Sequence, residues 1–206
     1  FNWKFDEIAK ISMVGVFLTF PVALGLANTL SALVLLSWIL AGGYKERYLA
    51  IKKNSLSLPL FLLYAWILIG GIYANATTDN VYLHFLKYSK LLFAVLLISL
   101  LDDARWRRRC WAAFSISMLF ILASVYANIW LILPWSATNV RGWGVDHHVI
   151  GDYITQNVMM SFFVILLAHY ARSENRRLYK YVLYATAFLA VLSITHLSQG
   201  RTGDVV

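Results

Sequence analysis

The sequence predicts an all-α integral membrane protein: one polytopic helical bundle over residues 1–206, with about seven spans and the start of an eighth. Three observations carry this. The chain is 60% hydrophobic and only 14% charged, far from the balance of a soluble domain. Twelve of its 18 Lys and Arg residues fall into three short clusters: Lys45, Arg47, Lys52 and Lys53; Arg105, Arg107, Arg108 and Arg109; Arg172, Arg176, Arg177 and Lys180. Between the clusters lie apolar runs near the roughly 20 residues that one helical span needs. Short loops rich in Lys and Arg stay cytoplasmic, so the clusters also orient the bundle.

Ile8 to Ala41 is apolar, long for one span and short for two, and is interrupted by Pro21 and by Asn28-Thr29. Lys4 and Lys10 mark the N-terminus as cytoplasmic, and so does the Lys45–Lys53 loop. Both hold only if the chain crosses twice, so two short, closely coupled helices are expected; the alternative is one long tilted helix. Leu58 to Tyr73 then crosses outward. Ala74 to Asn80 turns without Lys or Arg, and Val81 to Leu101 returns to the Arg105–Arg109 loop. Cys110 to Leu133 crosses outward into a longer external loop, Pro134 to Gly151. Asp152 to Tyr170 returns to the Arg172–Lys180 loop, and Tyr181 to Leu197 crosses outward again. Ser198 to Asp204 is external, and Val205 begins the next segment. Trp66, Trp106, Trp111, Trp130, Trp135 and Trp143 sit near span ends or in loops, as interfacial anchors do.

The same composition excludes other classes. The net charge of +8 is supplied by the orienting clusters, which leaves no basic stripe for nucleic acid. The single cysteine, Cys110, rules out an internal disulfide and a cysteine-based metal site. No Ala-x-Ala pattern follows the first apolar stretch, which reads as an anchor rather than a removed signal peptide. With a start at Phe1 and an end inside an apolar run, the chain is expected to be a fragment of a longer protein.

Four basic residues break the orienting pattern: Lys87, Lys90, Arg141 and Arg201. His84, Lys87 and Lys90 are spaced three apart and share one helical face. Lys90 lies about 13 Å below the outer end of its helix, where a cation costs about 2.5–3.5 kcal/mol. It needs a water-filled cavity or an anionic partner, or else must snorkel outward. In the external loop, Arg141 either binds an anion or caps the loop. His148 is open to general acid–base work or to a plain interfacial turn. Asp146, His147 and His148 lack the spacing of a metal site, and none is expected. Thr155, Gln156 and Asn157 open the next span, and at least one of them must turn from lipid. Gly200 and Gly203 bracket Arg201, permitting a tight turn and close approach of a bulky anion. Backbone N–H groups of the following helix start would add donors, and the guanidinium fork suits phosphate oxygens.

The turn Ser198-Gln-Gly-Arg-Thr-Gly203 after a series of short spans resembles that of the O-antigen ligase superfamily, which also holds O-antigen polymerases and protein O-oligosaccharyltransferases. His147-His-Val-Ile-Gly-Asp-Tyr-Ile-Thr-Gln156 is similar to a segment of its ligase-like members. The resemblance covers the chain in topology, and in motif only residues 141–157 and 194–204. It implies a GT-C-like glycosyltransferase fold in the bacterial inner membrane with a periplasmic active face. It implies inverting transfer of a glycan from undecaprenyl diphosphate to lipid A–core, with no cofactor and no metal. Arg201 matches the family's catalytic arginine. The resemblance places Lys87 and Lys90 near the donor diphosphate, and Arg141, His84, His148 and Gln156 are expected to bind that donor with them. The family's large periplasmic loop and its catalytic histidine match no position of this chain, so the fragment alone is expected to be inactive. Two other readings stay open: an O-antigen polymerase using the same donor, and a transporter or flippase in which the same cations line a path.

Overall fold

The structure, a computed structural model, describes residues 2–73, 82 and 85–198. They form eight helices: α1 Trp3–Thr19, α2 Leu24–Ala41, α3 Tyr44–Lys53, α4 Ser57–Ile72, α5 Lys90–Leu100, α6 Ala104–Ala127, α7 Tyr153–Ser173 and α8 Arg177–His196. No strand occurs among the described residues. The helices α2, α6, α7 and α8 are each long and apolar enough to cross a membrane, and α3 with α4 makes a fifth crossing if that bent pair is one span. The protein is therefore an all-helical chain with the helices of a membrane protein. Its residues pack as two compact units, one of Phe1–Val14 with Thr29–Cys110, the other of Gly15–Asn28 with Trp111–Val206.

In the first unit, α1 buries Ala9, Ser12 and Met13, and α2 buries Val34, Ser37 and Ala41. These three- and four-residue steps mark one face of each helix. Small side chains dominate both faces, which suits helices that associate by close packing because lipid offers no hydrophobic drive between them. The N–H of Asn2 donates to the Ala41 carbonyl at 2.7 Å, so the start of α1 lies beside the end of α2 and the two run antiparallel. Two coupled helices are thus found where two were expected in Ile8–Ala41, although α1 begins already at Trp3 and, of the two, α2 alone is long and apolar enough to cross a membrane. Pro21 has no N–H to continue the helix and restricts the residue before it, and α1 stops at Thr19.

Gly42 and Gly43 then take left-handed φ of 67° and 71°, turning the chain into α3. The Lys45–Lys53 segment, expected as a loop, is this helix. Glu46 occupies its first turn and Lys52 and Lys53 its last, the order the helix dipole favours. The helix lies at 92° to α4. Both α3 and α4 pack against α5. The indole N–H of Trp38 donates to Ser99 Oγ at 2.9 Å, so α2 and α5 end together, and α4 departs from that same end. Asp102, Asp103 and the Arg105–Arg109 cluster follow directly.

The second unit has a core of Phe114, Met118, Ile121, Leu122 and Val125 from α6 with Met160, Phe163 and Leu167 from α7. Helix α8 contributes Ala187, Ala190 and Ser193, and α7 packs along it. Helix ends depart from the sequence expectation at the basic clusters. Helix α6 starts at Ala104 and stops at Ala127, so Arg105–Arg109 form its first turns and Asn128–Leu133 belong to the loop. Arg172 lies in the last turn of α7, and Arg177 and Lys180 lie in α8. Arg and Lys are good helix formers, so charge that orients a crossing need not interrupt the helix that carries it.

Candidate functional site

Two places bring chemistry-bearing side chains together, one in each unit. The first is a groove of about 380 Å3 between α2 and α5, lined by Ser31, Ala32, Leu35, Ser89, Lys90, Leu92, Phe93 and Leu96. Residues 85–88 are helical and lead into α5, because Ser89 N–H donates to Phe85 O and Phe93 N–H to Ser89 O. The Ser89 hydroxyl is spent on Leu86 O at 2.7 Å. Lys90 is exposed to the groove and has no hydrogen bond or ion pair among the described residues. It stands ten residues before Leu100, about 15 Å along the axis, which is half of a hydrocarbon core of about 30 Å. The lining is otherwise nearly all apolar. Lys87 is exposed one turn earlier.

The second place is the strap from Asn128 to Asp152, which crosses the ends of α6, α7 and α8 opposite the Arg172–Lys180 turn. Its centre is His147, fully buried. His147 Nε2 lies 2.7 Å from the Gly142 carbonyl, and a carbonyl only accepts, so Nε2 carries the proton. Its backbone N–H donates to Leu197 O at 2.9 Å. The buried Gln156 carboxamide accepts from Val149 N–H at 2.8 Å and donates toward His147 O at 3.5 Å. Ser136 and Thr138 donate to the His148 carbonyl at 3.4 and 3.2 Å, and Asn128 Nδ2 donates to Ser136 Oγ at 2.7 Å. Asn157 Nδ2 donates to Ser198 Oγ at 2.8 Å. The polar residues that composition alone leaves scattered therefore form one clasp.

Two groups of the strap face outward from this clasp. His148 Nδ1 lies 2.7 Å from Asp146 Oδ2, an arrangement that fixes the ring and leaves Nε2 for another partner. Arg141 is exposed and forms no hydrogen bond or ion pair among the described residues. Asp152 caps α7, accepting from the Thr155 N–H at 2.8 Å and the Thr155 hydroxyl at 2.9 Å. Those donors, the backbone N–H first, hold its carboxyl below the ordinary carboxylate range.

Of the residues singled out in the sequence, Arg141 and His148 lie in the strap, Gln156 of α7 holds its backbone, and Lys87 and Lys90 lie on one helical stretch. Gln156 is a builder of the strap, with its carboxamide turned to backbone rather than to open space. Arg201 and His84 lie outside the described residues. His147, the buried post of the strap, was legible only as a histidine next to another. Nothing in its local pattern separates an inward from an outward imidazole. No protein-family model matches the chain, and no curated protein or solved structure matches it.

Proposed function

We propose that this chain serves an O-antigen ligase, an inverting glycosyltransferase of the inner membrane that moves a glycan from undecaprenyl diphosphate to lipid A–core on the periplasmic side. Lys90 is the observation that carries the reading. A cation at half depth, on a groove with apolar walls, complements an amphiphile with an anionic head and an apolar chain. A lipid-linked diphosphate has that form, and its charge would offset the cost of holding Lys90 there. In this reading α1 and α2 are the first two of seven crossings, α3 lies at the cytoplasmic surface, and the bundle is GT-C-like. The strap lies on the periplasmic face.

The acceptor hydroxyl attacks the anomeric carbon from the side opposite the diphosphate. The sugar–oxygen bond breaks as the new one forms, and the diphosphate leaves with the bonding pair. The hydroxyl proton passes to a base. Arg201, with Lys90 and Lys87, neutralises charge building on the leaving diphosphate, the kind of electrostatic help that lowers such barriers most. These assignments rest on the resemblance of the Gly200-Arg-Thr-Gly203 motif and on the position of Lys90.

The test uses the full protein in proteoliposomes with lipid-linked glycan and lipid A–core. Arg201→Ala lowers transfer by about 100-fold or more, the scale of one lost oxyanion donor, and Lys90→Leu weakens donor binding while the protein still inserts. Wild-type transfer by Arg201→Ala would sink the assignment. Loss of long glycans from the lipid-linked pool in a deletion strain, rather than their accumulation there, would indicate a polymerase instead.

A further inference from the structure

The strap presents an aromatic residue that the clasp does not use. Trp143 stands between Gly142 at φ 110° and Gly144 at φ 79°, backbone that a side-chain-bearing residue would adopt only under strain. The turn is held from behind on both sides of Gly142. Its N–H donates to Ile129 O at 3.1 Å, and its carbonyl takes the Nε2 proton of buried His147 at 2.7 Å. His147 is in turn tied to the end of α8 through Leu197 O. Trp143 is thus displayed at 59% exposure on a turn that cannot easily move.

Three tryptophans of this strap, Trp130, Trp135 and Trp143, are more than half exposed, and the surroundings of the last two differ. Trp135 donates its indole N–H to Ser124 Oγ at 3.2 Å, and its ring lies 6.1 Å from Phe120. It is folded down along an apolar face of α6, as an interfacial anchor should be. Trp143 instead has an imidazole as its ring neighbour, His196, with centroids 6.3 Å apart. The residues just before and after its turn are Arg141, exposed, and Asp146 with His148, half-buried. An indole face beside an imidazole, on a strap that also carries an exposed guanidinium and the Asp146–His148 pair, is poor company for acyl chains. It suits the C–H face of a sugar ring, whose hydroxyls the neighbouring polar groups can bind. Aromatic surface with a few placed polar groups is the usual make-up of a specific small-molecule site.

We infer that the Gly142-Trp-Gly144 turn is a saccharide platform, with Trp143 as the stacking face and His147 as the positioning residue that holds it. The inference rests on the proposed function only for which saccharide is offered, the acceptor oligosaccharide. Binding needs no transfer.

The experiment uses the full protein in nanodiscs and the water-soluble oligosaccharide released from lipid A–core, which has no acyl chain to partition. Calorimetric titration gives the affinity. Trp143→Ala weakens it about tenfold, a face-contact contribution read as affinity. His147→Ala weakens it comparably although Trp143 is retained, and His147→Gln, which keeps an N–H donor, restores part of it. Fluorescence of the wild type minus that of Trp143→Phe isolates the one indole. That component is quenched by aqueous acrylamide, protected by the oligosaccharide, and untouched by brominated lipid. Quenching by brominated lipid would make Trp143 a second membrane anchor and overturn the inference. So would oligosaccharide binding that ignores Trp143→Ala, or no binding at all. If Arg201→Ala abolishes transfer while Trp143→Ala leaves binding intact, the platform fails and the transferase reading stands. If binding depends on Trp143 but Arg201→Ala transfers normally, the reverse holds.

Discussion

Removing the carboxylate of Asp6 should damage this protein more than removing the arginine it pairs with. Arg47 is 6% exposed and Asp6 14%, and the Arg47 guanidinium reaches Asp6 Oδ1 at 2.7 Å. The same guanidinium donates to Trp38 O at 3.2 Å and stands 5.0 Å from the centroid of the Trp38 ring. Asp6 is also held by Lys10 at 2.7 Å. Burial pulls the guanidinium below its ordinary pKa, with Asp6 opposing, and an arginine stays charged under either influence. In Asp6→Ala the buried cation keeps Trp38 and loses its carboxylate hydrogen bond. A fully buried pair broken this way costs about 3–5 kcal/mol. Residual exposure of the pair lowers the expected cost to about 2–3 kcal/mol. In Arg47→Met no charge is stranded, because Asp6 retains Lys10, and the aliphatic stem still packs. That change should cost about 1 kcal/mol, the net worth of the hydrogen bonds given up. Unfolding in mixed micelles, followed by tryptophan fluorescence, gives both values and that of the double variant. The expected coupling is about 1–2 kcal/mol, within the range for contacting residues. Additivity within about 0.5 kcal/mol, or Arg47→Met costing as much as Asp6→Ala, would refute the reasoning.

Two further outcomes follow from the strap. Gln156→Leu strands the buried Val149 N–H, which should cost about 1–3 kcal/mol and speed hydrogen exchange at Val149 ahead of that in the α7–α8 core. Equal acceleration throughout would mean that the clasp is not a separate unit. The Asp152 cap should weaken in acid. A carboxyl held low in the folded state contributes stability that is complete above its ordinary pKa and is lost as pH falls through the depressed value. Exchange of the Thr155 amide should therefore show a protection loss at acid pH beyond the intrinsic pH dependence, and Asp152→Asn should remove that extra loss.

The apolar runs and the basic clusters were enough to find the long apolar helices, because span length and charge segregation need no knowledge of tertiary contacts. Where about seven spans were expected, however, four, or five with the bent α3–α4 pair, are long and apolar enough to cross. Pro21 marked the α1–α2 turn for a backbone reason equally local. The basic segments were harder. Lys45–Lys53 reads as polar loop by composition, yet it contains no breaker after Gly43 and its charges follow the dipole, so it forms α3. Leu131 to Leu133 are apolar enough to prolong a span, but α6 gives way at Asn128, whose carboxamide is engaged by Ser136 of the strap. That bond closes within the strap, eight residues on, and is not read from the apolar pattern. The outward pair Asp146–His148 and the inward His147 illustrate the same limit. Adjacent side chains diverge, and which one is buried is decided by the carbonyl of Gly142 and the end of α8.

Lys90 marks where sequence reasoning goes furthest and why. Its depth could be counted from residue number alone, since the helix rise is fixed. Whether that depth is costly depends on what stands opposite, and the sequence does not say that Ser31, Ala32 and Leu35 of α2 do. The Trp38–Ser99 hydrogen bond supplies the missing link: it brings the ends of α2 and α5 together, and the groove lies between the same two helices at Lys90. The cation is therefore neither walled off by protein nor matched by a carboxylate within the described residues. A side chain kept in that state is either snorkelling or waiting for an anion. The two differ in one measurable respect. A snorkelling lysine is replaced by leucine with a gain in insertion and no loss of function, whereas a lysine that receives a lipid phosphate is replaced at the expense of donor affinity.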